Sequence, residues 1–387
     1  KARPSMMRLA LPSALPALAV LSTAPASVSA DLSAFAPVTI QHDGLHRHAW
    51  VYVPDSAKSG TAAGTVFFFH GLSVSVDKTC GGTHVSSFPV VEQANLHNFI
   101  AVCPQGFVEG DSATPVATEG RRRSWNSDAC CGYASNAQTD DVGYFSALLA
   151  HLRATALGGL GAAVPSAATN NVFAFGFSTG GLFVYRLACE LGSEIAGIGP
   201  TGAVFNWGFY NVNEGLMPWA DTCVTQVPVW NSLGTDDRYT NPQLGLEKWR
   251  QYSSGPLSCD AASETHASVG TDVNCYTNSN CANGTKSRLC VYTGAPHLVK
   301  PLRETPFEYP HTNEAWLFLT AASGTTTGVP TSTTGVVTNA PTGAPTGTST
   351  DASTTTTGVV TNAPTGTPTG TSTEAPTTTT GVVTNAP

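Results

Sequence analysis

The chain has 387 residues, a formal net charge of −8 at neutral pH and 10 cysteines. This acidic balance excludes the nucleic-acid-binding proteins that hold phosphate through a broad basic surface, since the basic run at 121–123 is too short to form one. Length alone suggests more than one domain, but a change in composition near residue 323 indicates one large domain followed by a tail.

The N-terminus has the features of a secretory signal peptide. Arg8 precedes an apolar run at 9–21, and small residues at 28–30 suit a cleavage site. Prolines interrupt the run, which is also too short to span a bilayer. We therefore expect residues 1–30 to be removed and the mature chain to be secreted to the extracellular space without a membrane span.

Residues 31–322 are predicted to form one α/β domain. Continuous apolar runs indicate buried strands, and apolar residues at helical spacing indicate helices between them. Strands that alternate with helices imply a mostly parallel sheet with helices on both faces. The predicted strands lie at 47–54, 64–71, 98–104, 171–177, 196–205, 227–233 and 287–293, and the predicted helices at 142–157, 182–191, 242–252 and 311–322.

The central motif is Gly176-x-Ser178-x-Gly180, which lies between a predicted strand and a predicted helix. A serine at such a sharp turn is exposed at the end of a sheet, and the glycines let the chain pass close to its neighbours. The free N–H groups of the following helix favour a developing negative charge. This context favours a nucleophile at Ser178 over a Gly-Ser loop that only connects two elements.

Two further residues complete a catalytic triad in the chain order serine, acid, histidine. Asp237 and His297 each follow the end of a predicted strand. A serine hydroxyl is a weak nucleophile without a base, and the base needs an acid that orients it. Asp236 is the neighbouring alternative for the acid, and His311 is the rival base, although it begins a predicted helix.

An oxyanion hole requires two N–H donors beside the nucleophile. The residue directly after the serine, Thr179, is predicted to supply one of them. Leu72, which follows His70-Gly71, is predicted to supply the other. We expect His70 itself to be a structural turn residue and not the base.

The even number of cysteines predicts disulfides, because the paired Cys-x-x-Cys or His spacing of a metal site is absent. We expect the adjacent Cys130 and Cys131 to bond to different partners. Cys281 and Cys290 flank a turn-rich stretch and are candidates to staple a hairpin. The connectivity of the others cannot be deduced from sequence.

Two adjacent acidic residues, Asp140 and Asp141, open the predicted helix at 142–157. Adjacent residues on a helix point in different directions, and carboxylates at a helix start are commonly caps. We therefore predict that this pair caps the helix and takes no part in acid–base chemistry.

Residues 323–387 are predicted to be a disordered tail rich in Thr, Pro and Gly. Segment 335–357 recurs almost unchanged at 358–380, and a third copy begins at 381. Repeats without aromatic residues bury too little surface to offset the entropy of ordering the chain. The composition is that of an O-glycosylated stalk or linker, and the sequon at 283–285 predicts a site for N-linked sugar.

A series of short motifs surrounds the serine motif. The more specific ones are Trp-Asn at 125–126 and Cys-Cys-Gly at 130–132, ahead of Asp-Asp-Val at 140–142. In this order they resemble the secreted family of polyhydroxybutyrate depolymerases and carbohydrate-esterase family 1-type feruloyl and acetylxylan esterases. The resemblance implies an α/β-hydrolase fold and a serine esterase, and its Gly-Thr-x-Asp motif implies that the acid is Asp237. The other matching segments are 69–71, 103–106, 176–181, 185–190, 234–237 and 275–297.

The resemblance and the triad predict a secreted serine carboxylic-ester hydrolase without a metal or cofactor. We predict a feruloyl esterase that acts on plant cell-wall xylan, with Phe205 and Trp207 as walls of an aromatic acyl pocket. The alternative for these rings is packing in the core. A polyhydroxybutyrate depolymerase and an acetylxylan esterase are the alternative enzymes, and a stalked cell-wall adhesion protein is the non-enzymatic alternative. The expected partner is feruloylated polysaccharide or another ester polymer.

Overall fold

The computed structural model of the protein describes residues 32–58, 62–81, 88–109, 122–128, 130–154, 156–157, 162–163, 171–206, 217–269, 271–297 and 311–324. All of them belong to one compact unit of the chain. The predicted signal peptide and nearly all of the repeat tail lie outside these residues, so both stay predictions. No helix in the described ranges is long and apolar enough to cross a membrane.

Strands and helices alternate through the centre of the domain, as the apolar pattern predicts. The strands are β1 Ala36–His42, β2 Leu45–Tyr52, β3 Thr65–Phe69, β4 Ile100–Pro104, β5 Ala156–Leu157, β6 Ala162–Ala163, β7 Val172–Phe177, β8 Gly197–Thr201, β9 Val229–Gly234, β10 Glu264–Val269, β11 Val273–Asn278 and β12 Ser287–Tyr292. The helices are α1 Asp55–Lys58, α2 Val76–Cys80, α3 Val90–His97, α4 Tyr133–Ala137, α5 Asp141–Ala154, α6 Thr179–Glu190, α7 Pro218–Asp221, α8 Pro242–Ser254 and α9 His311–Ala322.

The main sheet has 10 strands in the order β1-β2-β4-β3-β7-β8-β9-β12-β11-β10. The inner strands, from β4 to β12 in this order, are parallel to one another. Antiparallel strands extend the sheet at both edges. The predicted mostly parallel sheet is confirmed. Because the carboxyl ends of parallel strands meet along one edge, the loops that follow β3, β7, β9 and β12 can share one site.

Alternate residues of β3 face opposite sides of this sheet. Phe67 and Phe69 belong to the apolar core on one face, whereas Val66 and Phe68 belong to the core on the other. Helices α5 and α6 contribute to the first core, and α3 and α9 contribute to the second. Because the strand is covered on both faces, all four residues at 66–69 are apolar, which explains the continuous apolar run.

Strands β1, β10 and β11 near the two edges were not predicted from the sequence. In β10, every residue after the first is exposed, so no buried face leaves a pattern in the sequence. Its position is set by pairing with β11, which in turn pairs with β12. Edge strands of this kind depend on backbone hydrogen bonds to a neighbour, and periodicity of apolar residues cannot reveal them.

The cysteines form five disulfides, and two pairing predictions are wrong. Cys130 and Cys131 bond to each other and not to different partners. Cys281 and Cys290 do not staple a hairpin, since register places Cys275 directly opposite Cys290 on the adjacent strand. The other three pairs are Cys80–Cys103, Cys189–Cys223 and Cys259–Cys281.

Candidate active site

Ser178 lies at the turn between strand β7 and helix α6, in the middle of the sheet. Its backbone has φ 56° and ψ −117°, a conformation that few residues other than glycine adopt. A Cβ on Gly176 would collide with the backbone of Gly180, and one on Gly180 would collide with the carbonyl of Phe69. The two glycines of the motif are therefore required by close backbone contacts around a strained serine.

Asp237 and His297 meet in the loops that follow β9 and β12. The His297 Nδ1 lies 2.6 Å from Asp237 Oδ2, a distance typical of a short charge-assisted hydrogen bond. The neighbouring Asp236 is exposed, and its carboxylate instead accepts a hydrogen bond from the Thr235 hydroxyl at 3.2 Å. The geometry thus gives Asp237, and not Asp236, the contact with the histidine. His311 begins helix α9.

The carboxylate of Asp237 is set up to remain ionised. Burial acts to raise its pKa, but hydrogen bonds and the charge of His297 act in the opposite direction. The amides of Tyr239 and Thr240 both donate to Asp237 Oδ1, at 2.8 and 3.1 Å. The net result is a pKa below the ordinary value for aspartate. An ionised Asp237 accepts the Nδ1–H of His297 and leaves Nε2 as the basic nitrogen.

Two aromatic rings hold the imidazole of His297 in place. The ring of Phe177, directly before the serine, lies with its centroid 4.8 Å from that of His297. The ring of Tyr239 meets His297 edge-on, also at 4.8 Å between centroids. Contacts of this kind restrict rotation of the ring, so the orientation of His297 is fixed by packing as well as by its hydrogen bond to Asp237.

The oxyanion loop, residues 70–73, is fixed by His70. The Gly106 N–H donates to His70 Nε2 at 2.9 Å, so the ring proton is on Nδ1, which donates to the Gly71 carbonyl at 2.8 Å. That carbonyl and the Leu72 N–H belong to one trans peptide and point in opposite directions. Within the described residues the Leu72 N–H donates to no protein group. By holding the Gly71 carbonyl, His70 therefore fixes the Leu72 N–H so that it points away from the His70 ring.

His70 is 1% exposed, and its burial lowers the pKa of the imidazole from 6.5 to about 4. The bond to Gly71 opposes this effect, and the positive charge of Arg123 adds to it. A second proton would also displace the Gly106 N–H from Nε2, so both hydrogen bonds require the neutral ring. This agrees with the structural turn role that the sequence suggested.

The segment 122–128 is joined to the oxyanion loop by hydrogen bonds. The Trp125 indole N–H donates to the His70 carbonyl at 3.0 Å, and the Ser73 N–H donates to the Arg123 carbonyl at 2.8 Å. Arg123 in turn donates to the carbonyl of Gly106 at 3.0 Å. These bonds join the loops after β3 and β4 into one unit.

A buried ion pair that the sequence did not reveal anchors the same region. Arg47 on β2 pairs with Asp141 at 2.5 Å, with both side chains essentially inaccessible. Asp141 also accepts the Asn126 N–H at 2.7 Å, which fixes the segment 122–128. Capping of α5 is performed by Asp140, whose carboxylate accepts the Gly143 N–H at 2.8 Å. The capping prediction thus holds for Asp140 and is wrong for Asp141.

One cavity of about 460 Å³ connects these elements. Ser178, Thr179, Leu72 and His297 all line it, so the structure brings the predicted nucleophile, base and oxyanion residues to one place. Thr179 begins helix α6, and its N–H is one of the helix N-terminal donors without an intrahelical acceptor. The other lining residues are Cys131, Phe177, Asp236, Arg238, Tyr239 and Pro296.

The two residues predicted to wall an aromatic acyl pocket, Phe205 and Trp207, are not found at this cavity in the described residues. Phe205 is 4% exposed, and its ring packs against Tyr185, Trp219 and Tyr252 in the core. The prediction that Phe205 walls the acyl pocket is therefore wrong. Its ring is buried among aromatic residues of three helices and packs in the core. Trp207 lies outside the described residues. No group of His, Cys, Asp and Glu suited to hold a metal is found in the part of the chain that the structure describes.

The strand order, with the serine turn after a central parallel strand, defines an α/β-hydrolase fold. No protein-family model matches the sequence. No curated protein matches it either.

Solved structures resemble the chain distantly. An acetyl xylan esterase from Aspergillus awamori aligns at 14% identity over 73% of this chain and 98% of that chain, with a TM-score of 0.46. A Pyrococcus furiosus esterase aligns at 14% identity over 76% and 95%, with a TM-score of 0.46. An S-formylglutathione hydrolase from Agrobacterium tumefaciens aligns at 13% identity over 74% and 95%, with a TM-score of 0.43. The fold assignment rests on the strand order and the serine turn, and not on these values.

Proposed function

We propose that the protein is a serine carboxylic-ester hydrolase. The observation that carries the proposal is the 2.6 Å contact between Asp237 and His297 beside a cavity that Ser178 also lines. A strained serine at a strand–helix turn, a histidine and a buried carboxylate are the three groups that acyl transfer through a covalent intermediate requires.

The proposed reaction has two halves. As Ser178 Oγ bonds to the ester carbonyl carbon, His297 Nε2 takes the hydroxyl proton, and Asp237 stabilises the imidazolium. The tetrahedral intermediate then breaks its bond to the alcohol oxygen, which leaves with the proton from His297. Water attacks the acyl-enzyme in the same way, with His297 as base, and releases the carboxylic acid and the free serine.

The N–H groups of Thr179 and Leu72 are proposed to hold the oxyanion of both tetrahedral intermediates. The support is their position on the same cavity as Ser178 and the fixed direction of the Gly71–Leu72 peptide. Each such donor typically contributes about 10²- to 10³-fold to the rate. His70 is a positioning residue in this scheme, since it acts on the substrate only through the peptide that it holds.

For the acyl group we propose an aromatic acid of the ferulate type, esterified to plant cell-wall polysaccharide. With Phe205 in the core, the proposal depends on the apolar side of the cavity. There the rings of Phe177 and Tyr239 flank the catalytic histidine. Flat, rigid walls suit a flat acyl group better than a flexible aliphatic chain.

We further propose that the enzyme acts outside the cell. Five disulfides are stable in an oxidising compartment and rare in a reducing one. A polymeric ester would be met there, and the predicted signal peptide is compatible with export.

The test is release of ferulate from methyl ferulate and from feruloylated arabinoxylan, by wild type and by the variant Ser178→Ala. We expect hydrolysis by the wild type and a loss of about 10⁶-fold in kcat in the variant. Ser323→Ala, on the loop after α9, is the matched control and should retain full activity. Activity on acetylated xylan or polyhydroxybutyrate without ferulate release would reassign the acyl group, and binding to cell walls without any hydrolysis would favour an adhesion protein.

A further inference from the structure

The disulfide between Cys130 and Cys131 lies at the edge of the catalytic cavity. Cys131 is the sole cysteine among the described residues that line this cavity. The other four disulfides join elements elsewhere in the domain. Neither the ester chemistry nor the fold requires a disulfide at this place, because the nucleophile, the base and the oxyanion donors come from other segments.

The inner half of this disulfide is fixed in the core. Cys130 is 1% exposed, and its carbonyl accepts hydrogen bonds from the hydroxyls of Ser127 and Ser135, both at 2.5 Å. Cys131 is half-buried and packs against the apolar core on one side while it lines the cavity on the other. A bond between adjacent side chains also removes their free rotation, so the buried Cys130 holds Cys131 as a rigid part of the cavity lining.

The same segment touches the oxyanion loop. Gly132 has φ 88°, and a Cβ there would lie 2.7 Å from Leu72 Cδ1 and 2.7 Å from Ser124 Oγ. The Ala134 N–H donates to Ser124 Oγ at 3.2 Å. The side chain of Leu72 therefore packs against the backbone directly after the disulfide, and Leu72 and Cys131 line the same cavity as Ser178.

The chemistry of this surface is apolar and polarisable. A disulfide carries no N–H or O–H group, whereas the two thiols would each supply a donor that can rotate. Sulfur makes favourable contacts with aromatic rings. The remaining apolar members of the lining are Leu72, Phe177, Tyr239 and Pro296.

On this basis we propose that the Cys130–Cys131 disulfide is the specificity-determining wall of the acyl site, and that it selects a flat, aromatic acyl group. The inference rests on the proposed ester hydrolysis and deepens it, because it names the class of acyl group and the residues that recognise it. Cys131 contacts the acyl ring, and Cys130 positions Cys131.

The test compares two methyl esters that share one leaving group, methyl ferulate and methyl acetate. In the variant Cys130→Ala/Cys131→Ala, the ratio of kcat/KM for ferulate over acetate should fall about three- to tenfold, mainly through KM for ferulate. This ratio is independent of the fraction of folded enzyme. The control Cys259→Ala/Cys281→Ala removes a disulfide that does not line the cavity and should leave the ratio within about twofold of wild type.

An unchanged ratio in the first variant overturns the inference while leaving the proposed function intact. Failure of the wild type to hydrolyse either methyl ester, acetylated xylan or polyhydroxybutyrate overturns the proposed ester hydrolysis itself, so the two failures are distinguishable. A crystal structure of wild-type protein that carries an aryl phosphonate on Ser178 provides a second test that needs no disulfide variant. We expect the aryl ring in van der Waals contact with Cys131 Sγ, and a ring ordered elsewhere, or no ordered ring, contradicts the proposal.

Discussion

The two sides of the candidate site are held in different ways. On the side of the base, Phe177 and Tyr239 pack against His297, and one charge-assisted hydrogen bond from His297 to Asp237 completes the arrangement. On the oxyanion side, the loop after β3 is held by a chain of buried neutral hydrogen bonds centred on His70. The orientation of the base therefore depends on a charge, whereas the orientation of the proposed oxyanion donor depends on one protonation state of a buried ring.

The largest effect is expected on the side of the base. Asp237→Asn keeps the shape of the side chain but removes the charge and favours the wrong tautomer of His297, so kcat should fall about 10⁴-fold. The exposed neighbour Asp236 provides a matched control, since within the described residues its carboxylate accepts a hydrogen bond only from the Thr235 hydroxyl and none from His297. Asp236→Asn should change kcat less than about threefold. Equal losses in the two variants, measured by steady-state kinetics, would contradict the assignment.

A smaller loss is expected on the oxyanion side. His70→Gln removes the fixed ring that holds the Gly71 carbonyl, so the Leu72 N–H loses its direction and kcat should fall about 10- to 100-fold with little change in KM. His97→Gln is the control, because His97 is also buried but bonds to Asn313, away from the cavity. A rise in KM with unchanged kcat, or the same fall in kcat in both variants, would mean that His70 has only a structural role.

The buried His70 should also make the stability of the fold depend on pH. The unfolded chain protonates His70 below pH 6.5, whereas the folded protein resists protonation until about pH 4. Unfolded protein therefore binds more protons in this window, and the free energy of unfolding should fall with decreasing pH by up to about 1.4 kcal/mol per pH unit from this group. His70→Gln should remove that part of the slope, as urea unfolding at several pH values would measure. An identical slope in both proteins would show that His70 is not held neutral by the fold.

The predicted triad residues are ones whose place in the fold depends on strand ends. Ser178, Asp237 and His297 follow buried parallel strands, and apolar runs reveal such strands because both faces are covered. Their catalytic roles stay proposals, but the sheet brings Ser178 and His297 to one cavity and places Asp237 in contact with His297 behind it. Sequence reasoning could therefore reach this part of the site from local patterns alone.

The residues that escaped prediction depend on contacts between distant segments. No periodic pattern in the sequence reveals the ion pair between Arg47 and Asp141 or the disulfide between Cys130 and Cys131. The prediction for Phe205 failed for a related reason. An aromatic residue after a strand can line a pocket or fill the core, and the sequence does not show that helices α6 and α8 pack against this ring. The single signal available was the motif Cys-Cys-Gly, which marked the segment but not its bond.

The most direct test of Ser178 as the nucleophile is active-site labelling with a fluorophosphonate, followed by peptide mass spectrometry. An activated serine attacks phosphorus and displaces fluoride, whereas ordinary serines do not react. We predict one adduct per chain, on the peptide that carries Ser178, and no adduct in Ser178→Ala or in wild type unfolded beforehand. An unlabelled wild-type protein that is folded, or an adduct on another residue, would contradict the account of Ser178 as the nucleophile.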